Sequence, residues 1–512
     1  MRGPTCPLKV ISEKAMIEQE KVSIRPVPTG AAGLDEILGG GIPEFSFNII
    51  AGAPGCGKTT LAHQIMFAEA TVERPALYFT VLGEPPIKML RYQQQFSFFD
   101  GSKIGGAVRF INLSDDTLKG NLEAVLERII KEVAAANPSI VVVDSFRTVL
   151  RRFESPAGEL DQDGFLQQLA MHLTSWEATT FLIGEYTEGE MRDNPVFTIA
   201  DGLIWLYQKA ERDSIVRKLQ IIKLRGQASV PGLHTFRITS EGIQAFSRTL
   251  GLLNRKEMSA QGPRLSLGVP AIDKLLGGGA FQGDSILIAG SSGTGKSILA
   301  KQFIAEGILR GEPGVVAVFE ERPKEYAELA SRVGLDLESP QEKNQLKILY
   351  LRPLDLSVDE TMIEILDAVR EIGAKRLVID SLAGFEMALA PGFRTDFRES
   401  LYRMIGALTG VGVTILSTVE VQESFIELPF SNYSISFLTD DIIRLRYVEI
   451  EGRLRKILFV IKVRGGQHSN EIVEYEVTPS GLKVLDTPLG DYEGLMTGSP
   501  SRAVRLHKEN ST

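Results

Sequence analysis

Short apolar runs alternate with longer amphipathic stretches along most of the chain, and the alternation passes through the same order twice. In the first half the runs at 47–51, 76–82, 141–144 and 180–183 read as strands, and the 3.6-residue periodicity of 121–136 reads as a helix with one apolar face. The second half repeats this with strands at 285–289, 315–319, 377–380 and 413–416 and a helix at 359–372. Runs that are apolar throughout belong to strands buried on both faces. Each half therefore predicts an α/β domain with a mostly parallel sheet covered by helices on both sides. Around 203–207, 218–223, 442–448 and 457–462 the pattern turns to alternating positions, which predicts antiparallel additions. Asn254, Lys256, Gln261, Gly262 and Pro263 interrupt the periodicity. They place a linker at 251–263 between a first domain at 23–250 and a second at 264–490. Residues 1–22 and 491–512 lack a core-forming pattern and read as an N-terminal arm and a C-terminal tail.

The two halves share motifs as well as periodicity. Gly52-Ala-Pro54-Gly55-Cys56-Gly57-Lys58-Thr59 and Gly290-Ser-Ser-Gly293-Thr294-Gly295-Lys296-Ser297 both fit G-x-x-x-x-G-K-[ST], follow an apolar run and precede a helical pattern through Thr60 and Ile298. Leu38-Gly-Gly-Gly41 matches Leu276-Gly-Gly-Gly279, and Asp35 matches Asp273, at the same offset of 238 as the two lysines. Val141-Val-Val-Asp144-Ser145 answers Leu377-Val-Ile-Asp380-Ser381, and Lys223-Leu224-Arg225-Gly226 answers Lys462-Val463-Arg464-Gly465. A period this long is a duplicated domain rather than a solenoid.

A G-x-x-x-x-G-K-[ST] loop turns successive backbone N–H groups inward around phosphate oxygens. Lys58 or Lys296 would neutralise β/γ charge, and the Thr59 or Ser297 hydroxyl would ligate Mg²⁺, so two molecules of ATP are expected. An aliphatic strand ending in aspartate is by itself often a turn. With a P-loop upstream in both copies, Asp144 and Asp380 read as Mg²⁺ residues, held directly or through water.

One asymmetry stands out. The strand at 315–319 runs into Glu320-Glu321, adjacent carboxylates where a parallel sheet meets its nucleotide; one can polarise the attacking water or hydroxyl while the other orients it or helps with the metal. The first half has Leu82-Gly83 there, with Glu84 displaced toward Pro85-Pro86. The second domain is expected to carry the chemistry.

Composition narrows the classes. The chain has 512 residues, with 56 Lys plus Arg against 65 Asp plus Glu for a net charge of −9. That balance argues against a nucleic-acid binder that coats duplexes. Only Cys6 and Cys56 occur, so no disulfide framework is expected and a reducing cytoplasm fits. No apolar stretch approaches a membrane span, and no signal-peptide pattern opens the chain.

Both P-loops, both Leu-Gly-Gly-Gly turns, Glu320-Glu321, both aspartate-ended strands, both Lys-x-Arg-Gly motifs and the stretches Thr439-Asp440-Asp441-Ile442-Ile443 and Tyr447-Val448-Glu449-Ile450 together resemble the KaiC family over about residues 24–500. These are tandem RecA-like ATPases and autokinases of the cyanobacterial clock, with bacterial homologues. The resemblance implies a double-ring homohexamer with ATP between subunits, in which Lys223, Arg225, Lys462 and Arg464 reach a neighbour's triphosphate and His468 lies at the second-domain interface, where the first domain has Ser229. The family's autophosphorylated Ser-Thr pair aligns with Ser436-Phe437, leaving Ser436 as the acceptor, with Arg444 and Arg446 as cations near it. The activator-binding C-terminal segment corresponds to Thr497 through Arg502 and a tail carrying Arg505 and Lys508. A role in clock-related or other signalling, with partner proteins of that kind, is expected. Two rivals stay open: a nucleic-acid motor of the wider RecA-like class, and a non-enzymatic scaffold assembled by ATP.

Overall fold

The computed structural model describes residues 24–80, 86–113, 122–145, 147, 167–169, 171–172, 177–191, 194–211, 214–248, 262–351, 357–389, 397–421, 439–486, 489–496 and 500–502. The first domain is built on β1 (Phe47–Gly52), α1 (Lys58–Glu69), β2 (Ala76–Thr80), β3 (Val108–Asn112), α2 (Leu122–Ala136), β4 (Ile140–Asp144), β5 (Thr179–Glu185), β6 (Gly202–Glu211), β7 (Ser214–Leu224), β8 (His234–Thr239) and β9 (Gly242–Phe246). These strands form one nine-stranded sheet in the order β9-β8-β7-β6-β1-β5-β4-β2-β3.

The second domain repeats the plan. It has β10 (Ser285–Gly290), α3 (Lys296–Leu309), β11 (Gly314–Val318), α4 (Pro323–Ser331), β12 (Leu346–Tyr350), α5 (Val358–Ile372), β13 (Arg376–Asp380), α6 (Phe397–Gly410), β14 (Thr414–Glu420), β15 (Asp441–Ile450), β16 (Arg453–Val463), β17 (Val473–Thr478) and β18 (Gly481–Val484). Its sheet order is β12-β11-β13-β14-β10-β15-β16-β17-β18.

Each P-loop strand lies inside its sheet, buried along its whole length. Such a strand needs apolar residues on both faces, which is why β1 and β10 read as unbroken runs. One apolar cluster lies on each face of each sheet: in the second domain Ile365, Leu401 and Met404 pack on one side of β10 and Leu299, Phe303 and Ile304 on the other. One part of the pattern differs from expectation. β6 and β15, read as antiparallel, run parallel to β1 and β10. In the second domain the antiparallel arrangement begins only at β16. Period and burial cannot separate the last parallel strand from the first strand of the following hairpin, because the two are continuous.

Past the second sheet, β19 (Tyr492–Glu493) pairs antiparallel with β20 (Ser501–Arg502). Leu489 and Leu495 are buried with Val448, Ile450 and Phe459, so the core extends into the segment assigned from sequence to a tail beginning at 491.

Candidate functional site

In both domains the last glycine of the P-loop caps the following helix. Gly57 (φ 102°) and Gly295 (φ 99°) take left-handed backbone there, a conformation that costs glycine least. No side chain caps either helix, which leaves the first N–H groups of α1 and α3 for phosphate oxygens. The Lys58 ammonium donates to Gly52 O (3.0 Å) and Ala53 O (2.8 Å), with Cys56 Sγ at 3.8 Å. Lys296 donates to Ser291 O at 2.8 Å. Each ammonium thus hangs over its own loop. Thr294, in the place of Cys56, is buried and donates to Ser291 O at 2.8 Å. The loops line cavities of about 490 Å³ in the first domain and about 360 Å³ in the second.

The strand-end aspartates meet the P-loop hydroxyls. Thr59 Oγ1 donates to Asp144 Oδ2 at 2.8 Å and Ser297 Oγ to Asp380 Oδ1 at 3.2 Å. A hydroxyl and a carboxylate side by side, beside a phosphate cradle, form the hard-oxygen donor set that suits Mg²⁺ when phosphate oxygens and water complete the shell. Among the described residues no group of three or more His, Cys, Asp or Glu gathers as an all-protein metal site.

Around this shared frame the pockets differ. Thr80 pairs with Asp144, and Val318 with Asp380. Glu320 and Glu321, the second and third residues after β11, therefore correspond to Leu82 and Gly83, which lie outside the described residues along with Glu84. Glu320 and Glu321 both line the second pocket. Glu320 Oε1 accepts from Ser381 Oγ at 3.4 Å, and Glu321 Oε2 is 3.7 Å from the Lys301 ammonium. Asp380 also accepts from Thr418 Oγ1 at 2.6 Å. In the first domain the position of Thr418 is Ile183, and the second donor to Asp144 Oδ2 is the Tyr78 hydroxyl from β2. Burial pushes the Asp144 carboxyl up from its ordinary range, and the Tyr78 and Thr59 hydroxyls offset part of this.

Beneath Tyr78 lies His63, fully buried on α1, with ring centroids 4.7 Å apart. Burial pushes the His63 pKa down to about 4. The unfolded chain takes up this proton near pH 6.5 and the native state refuses it, so the contribution of neutral His63 is complete above pH 6.5 and is lost as pH falls toward 4. Complete loss is worth about 3 kcal/mol. The first-domain thermal transition is therefore expected to fall more steeply from pH 6.5 to 4 in wild type than in His63→Leu. Parallel slopes in a pH-resolved melting series would contradict it.

The Lys-x-Arg-Gly motifs lie at the other end of the sheet. Arg464 N–H donates to Asp440 O at 3.1 Å, and its guanidinium pairs with Asp440 Oδ1 at 3.1 Å. The P-loop glycine Gly290 is in register with Leu445. Five strand positions at about 3.3 Å each put Arg464 about 17 Å from its own P-loop. Arg225 is held in the same way by Asp201 at 3.1 Å. The Lys223 and Lys462 ammonium groups donate to Thr198 O (3.0 Å) and Thr439 O (2.6 Å). Tied to that end of the sheet, none of the four lines the nucleotide pocket of its own domain. His468 Nδ1 is 3.0 Å from Ser469 O on the loop after β16, and that loop presses on the Leu-Gly-Gly-Gly turn, where a Cβ on Gly277 would come within 2.5 Å of Gln467 O.

Sequence reading missed two pairs. Glu185 and Glu420 end β5 and β14, opposite Gly52 and Gly290, and line the two pockets. The expected strands at 180–183 and 413–416 stop short of them; their recurrence after the same strand in both copies was the available signal. Asp201 and Asp440 accept from Phe47 N and Ser285 N, at 3.0 Å each, so one carboxylate ties the start of each P-loop strand to its arginine. Ser436 lies outside the described residues. Arg444 and Arg446 are buried, at 3% and 1% exposure, and Arg446 donates to Met496 O at 2.6 Å.

Comparison with known proteins agrees with this frame. The family model described as "ATPase: KaiC" matches residues 27–249 and again 265–488. The circadian clock oscillator protein KaiC of Picosynechococcus sp. (strain PCC 7002) is 29% identical over 489 residues, covering 94% of this chain and 93% of its own. KaiC of Rippkaea orientalis is 30% identical over 498 residues, covering 95% and 93%. KaiC 1 of Synechocystis sp. (strain PCC 6803) is 28% identical over 507 residues, covering 97% and 95%. With two RecA-like domains in tandem, an ATP-binding P-loop in each and a family match across both, the chain belongs to the KaiC ATPase family.

Proposed function

We propose that this chain is a ring-forming ATPase in clock-related or other signalling, with serine autokinase activity in its second domain and a first domain that binds ATP mainly to hold the ring together. The observation that carries the reading is the pair Glu320-Glu321 beside Asp380 and Ser297 in one pocket, against Leu82-Gly83 at the matching positions of the other. In the second pocket the loop N–H groups and Lys296 bind the triphosphate. Mg²⁺ held at Ser297 and Asp380 would neutralise charge on the β/γ oxygens. Glu320 accepts the proton of the attacking oxygen, from water or from the Ser436 hydroxyl. That oxygen bonds to the γ-phosphorus as the bond to the β–γ bridging oxygen breaks and ADP leaves. Arg225 and Arg464, too far from their own P-loops, are available to a neighbouring subunit in a homohexamer with ATP between subunits.

Incubating pure protein with Mg²⁺ and γ-labelled ATP, then resolving free phosphate and labelled protein, tests this. Phosphate release with label on Ser436 is expected; neither product would leave ATP as an assembly ligand only. That second reading is favoured by the first pocket, where the Tyr78 hydroxyl, its ring packed on His63, donates to Asp144. Nucleic-acid binding that weakens steeply with salt would point to a motor instead, although the net charge of −9 counts against it.

ATP bound between subunits stabilises the ring by mass action. Lys58→Ala is therefore expected to impair hexamer formation more than phosphorylation, as read by light scattering with and without Mg-ATP. ATP-dependent hexamers like those of wild type would refute that division of labour.

A further inference from the structure

The second domain holds a buried cation that the P-loop chemistry leaves unused. Lys301 lies on α3, five residues after Lys296, and is 3% exposed. Its ammonium is 3.7 Å from Glu321 Oε2 and 3.7 Å from the centroid of the Tyr326 ring, itself fully buried on α4. An ammonium keeps its charge in an interior only where carboxylates and π-faces replace its lost water. Glu321 supplies the carboxylate: Oε2 is buried, while the side chain as a whole is 37% exposed.

Glu320 is placed differently. It is exposed at the rim, where its Oε1 accepts from the Ser381 hydroxyl at 3.4 Å. One of two adjacent carboxylates is thus paired with a buried cation while the other sits exposed at the rim, and such a difference in environment is what divides roles between paired carboxylates. The first domain changes both ends of the ion pair together. His63 stands where Lys301 does, 238 positions earlier, and Gly83 where Glu321 does. A buried lysine without its glutamate would be an uncompensated charge, and neutral His63 avoids it.

We propose that Lys301 is a positioning residue whose buried ammonium anchors Glu321 on the floor of the second pocket, leaving Glu320 as the carboxylate that takes the proton from the attacking oxygen. The inference rests on the reading of the second domain as the active one.

Steady-state ATP turnover of the full-length chain tests it with Glu320→Gln, Glu321→Gln, Lys301→Met and the double variant Lys301→Met/Glu321→Gln. Glu320→Gln is expected to lower kcat by about 10²–10⁴-fold, the usual worth of a general base. Lys301→Met and Glu321→Gln should each lower kcat about tenfold with KM for ATP little changed, and the double should also lose about tenfold, because residues acting as one unit are not additive. Losses that multiply to about a hundredfold in the double, or an unchanged kcat in Lys301→Met, overturn the anchor. Should Lys301→Met fail to fold, Lys301→Arg keeps the cation: it should retain most of the wild-type kcat and have no further effect in Glu321→Gln. A loss as large as that of Glu321→Gln overturns the anchor equally. If Glu320→Gln leaves turnover intact, the active-domain reading itself falls, and the anchor with it.

Discussion

Glu320→Gln combined with Glu321→Gln is expected to lower ATP turnover of the whole chain by about 10²–10⁴-fold while nucleotide binding persists. Binding rests on the P-loop N–H groups, Lys58 and Lys296, none of which the two substitutions touch. Turnover needs a base within reach of the attacking oxygen, and the second pocket brings Glu320 and Glu321 to the same cavity as Lys296, Ser297 and Asp380. The first pocket has Leu82-Gly83 at the corresponding sequence positions, so it cannot make up the loss from the same place. Two other carboxylates could do so from elsewhere, Glu84 on the chain after β2 and Glu185 at the tip of β5. Glu84→Gln and Glu185→Gln, each assayed alone, separate these cases. If either removes most of the turnover that the double glutamine variant leaves untouched, the first domain is the hydrolase and the assignment is reversed.

The P-loops and the aspartate-ended strands were legible in the sequence because each is a contiguous motif whose chemistry depends on local backbone. Gly57 and Gly295 must cap a helix in left-handed backbone, and Thr59 or Ser297 follows two positions later whatever the rest of the domain does. The duplication made weak motifs strong by showing each one twice. Features assembled across strands were not legible. Tyr78 reaches Asp144 because β2 and β4 are neighbours, and nothing in the run Ala-Leu-Tyr-Phe-Thr marks its third residue as a partner of an aspartate 66 positions on. Lys301 and His63 look like polar interruptions of helical patterns, and only burial reveals that one is a paired cation and the other a neutral ring. The Lys-x-Arg-Gly motifs were found, but their distance from their own P-loop follows from strand register.

The substitutions that separate the pockets are coupled physically. In the second domain Asp380 has a threonine donor from β14, and a lysine–glutamate pair lies beside it. In the first, a tyrosine from β2 replaces the threonine as donor and a buried histidine replaces the lysine. Each set matches its buried charges: the lysine of the second domain is paired with a glutamate, and the first domain, without that glutamate, carries a neutral ring in its place, since an uncompensated buried charge is costly. Converting the first pocket to an active one would therefore take changes on α1, on β2 and after it together.

Phosphate on Ser436 is the second large effect expected, and it is close to all-or-none. Mapping after incubation with Mg-ATP should find Ser436 modified in wild type and unmodified in Lys296→Ala, since without that lysine the β/γ charge in the second pocket loses its closest compensating cation. A serine hydroxyl is a poor nucleophile until a base removes its proton as the γ-phosphoryl group transfers, so the step also needs Glu320. Which subunit supplies the base can be read by mixing. Glu320→Gln/Glu321→Gln subunits keep Ser436 but lack the base, and Ser436→Ala subunits keep the base but lack the acceptor; label appearing only in the mixture means transfer between subunits. The product would carry an added charge of about −1.5 to −2. Because Arg444 and Arg446 are buried rather than free at the surface, that charge would have to act through other groups or draw these two out of the core. Label that persists undiminished in Ser436→Ala, or its absence from hydrolytically active wild-type hexamers, would exclude this acceptor and leave a hydrolase without autokinase activity at Ser436.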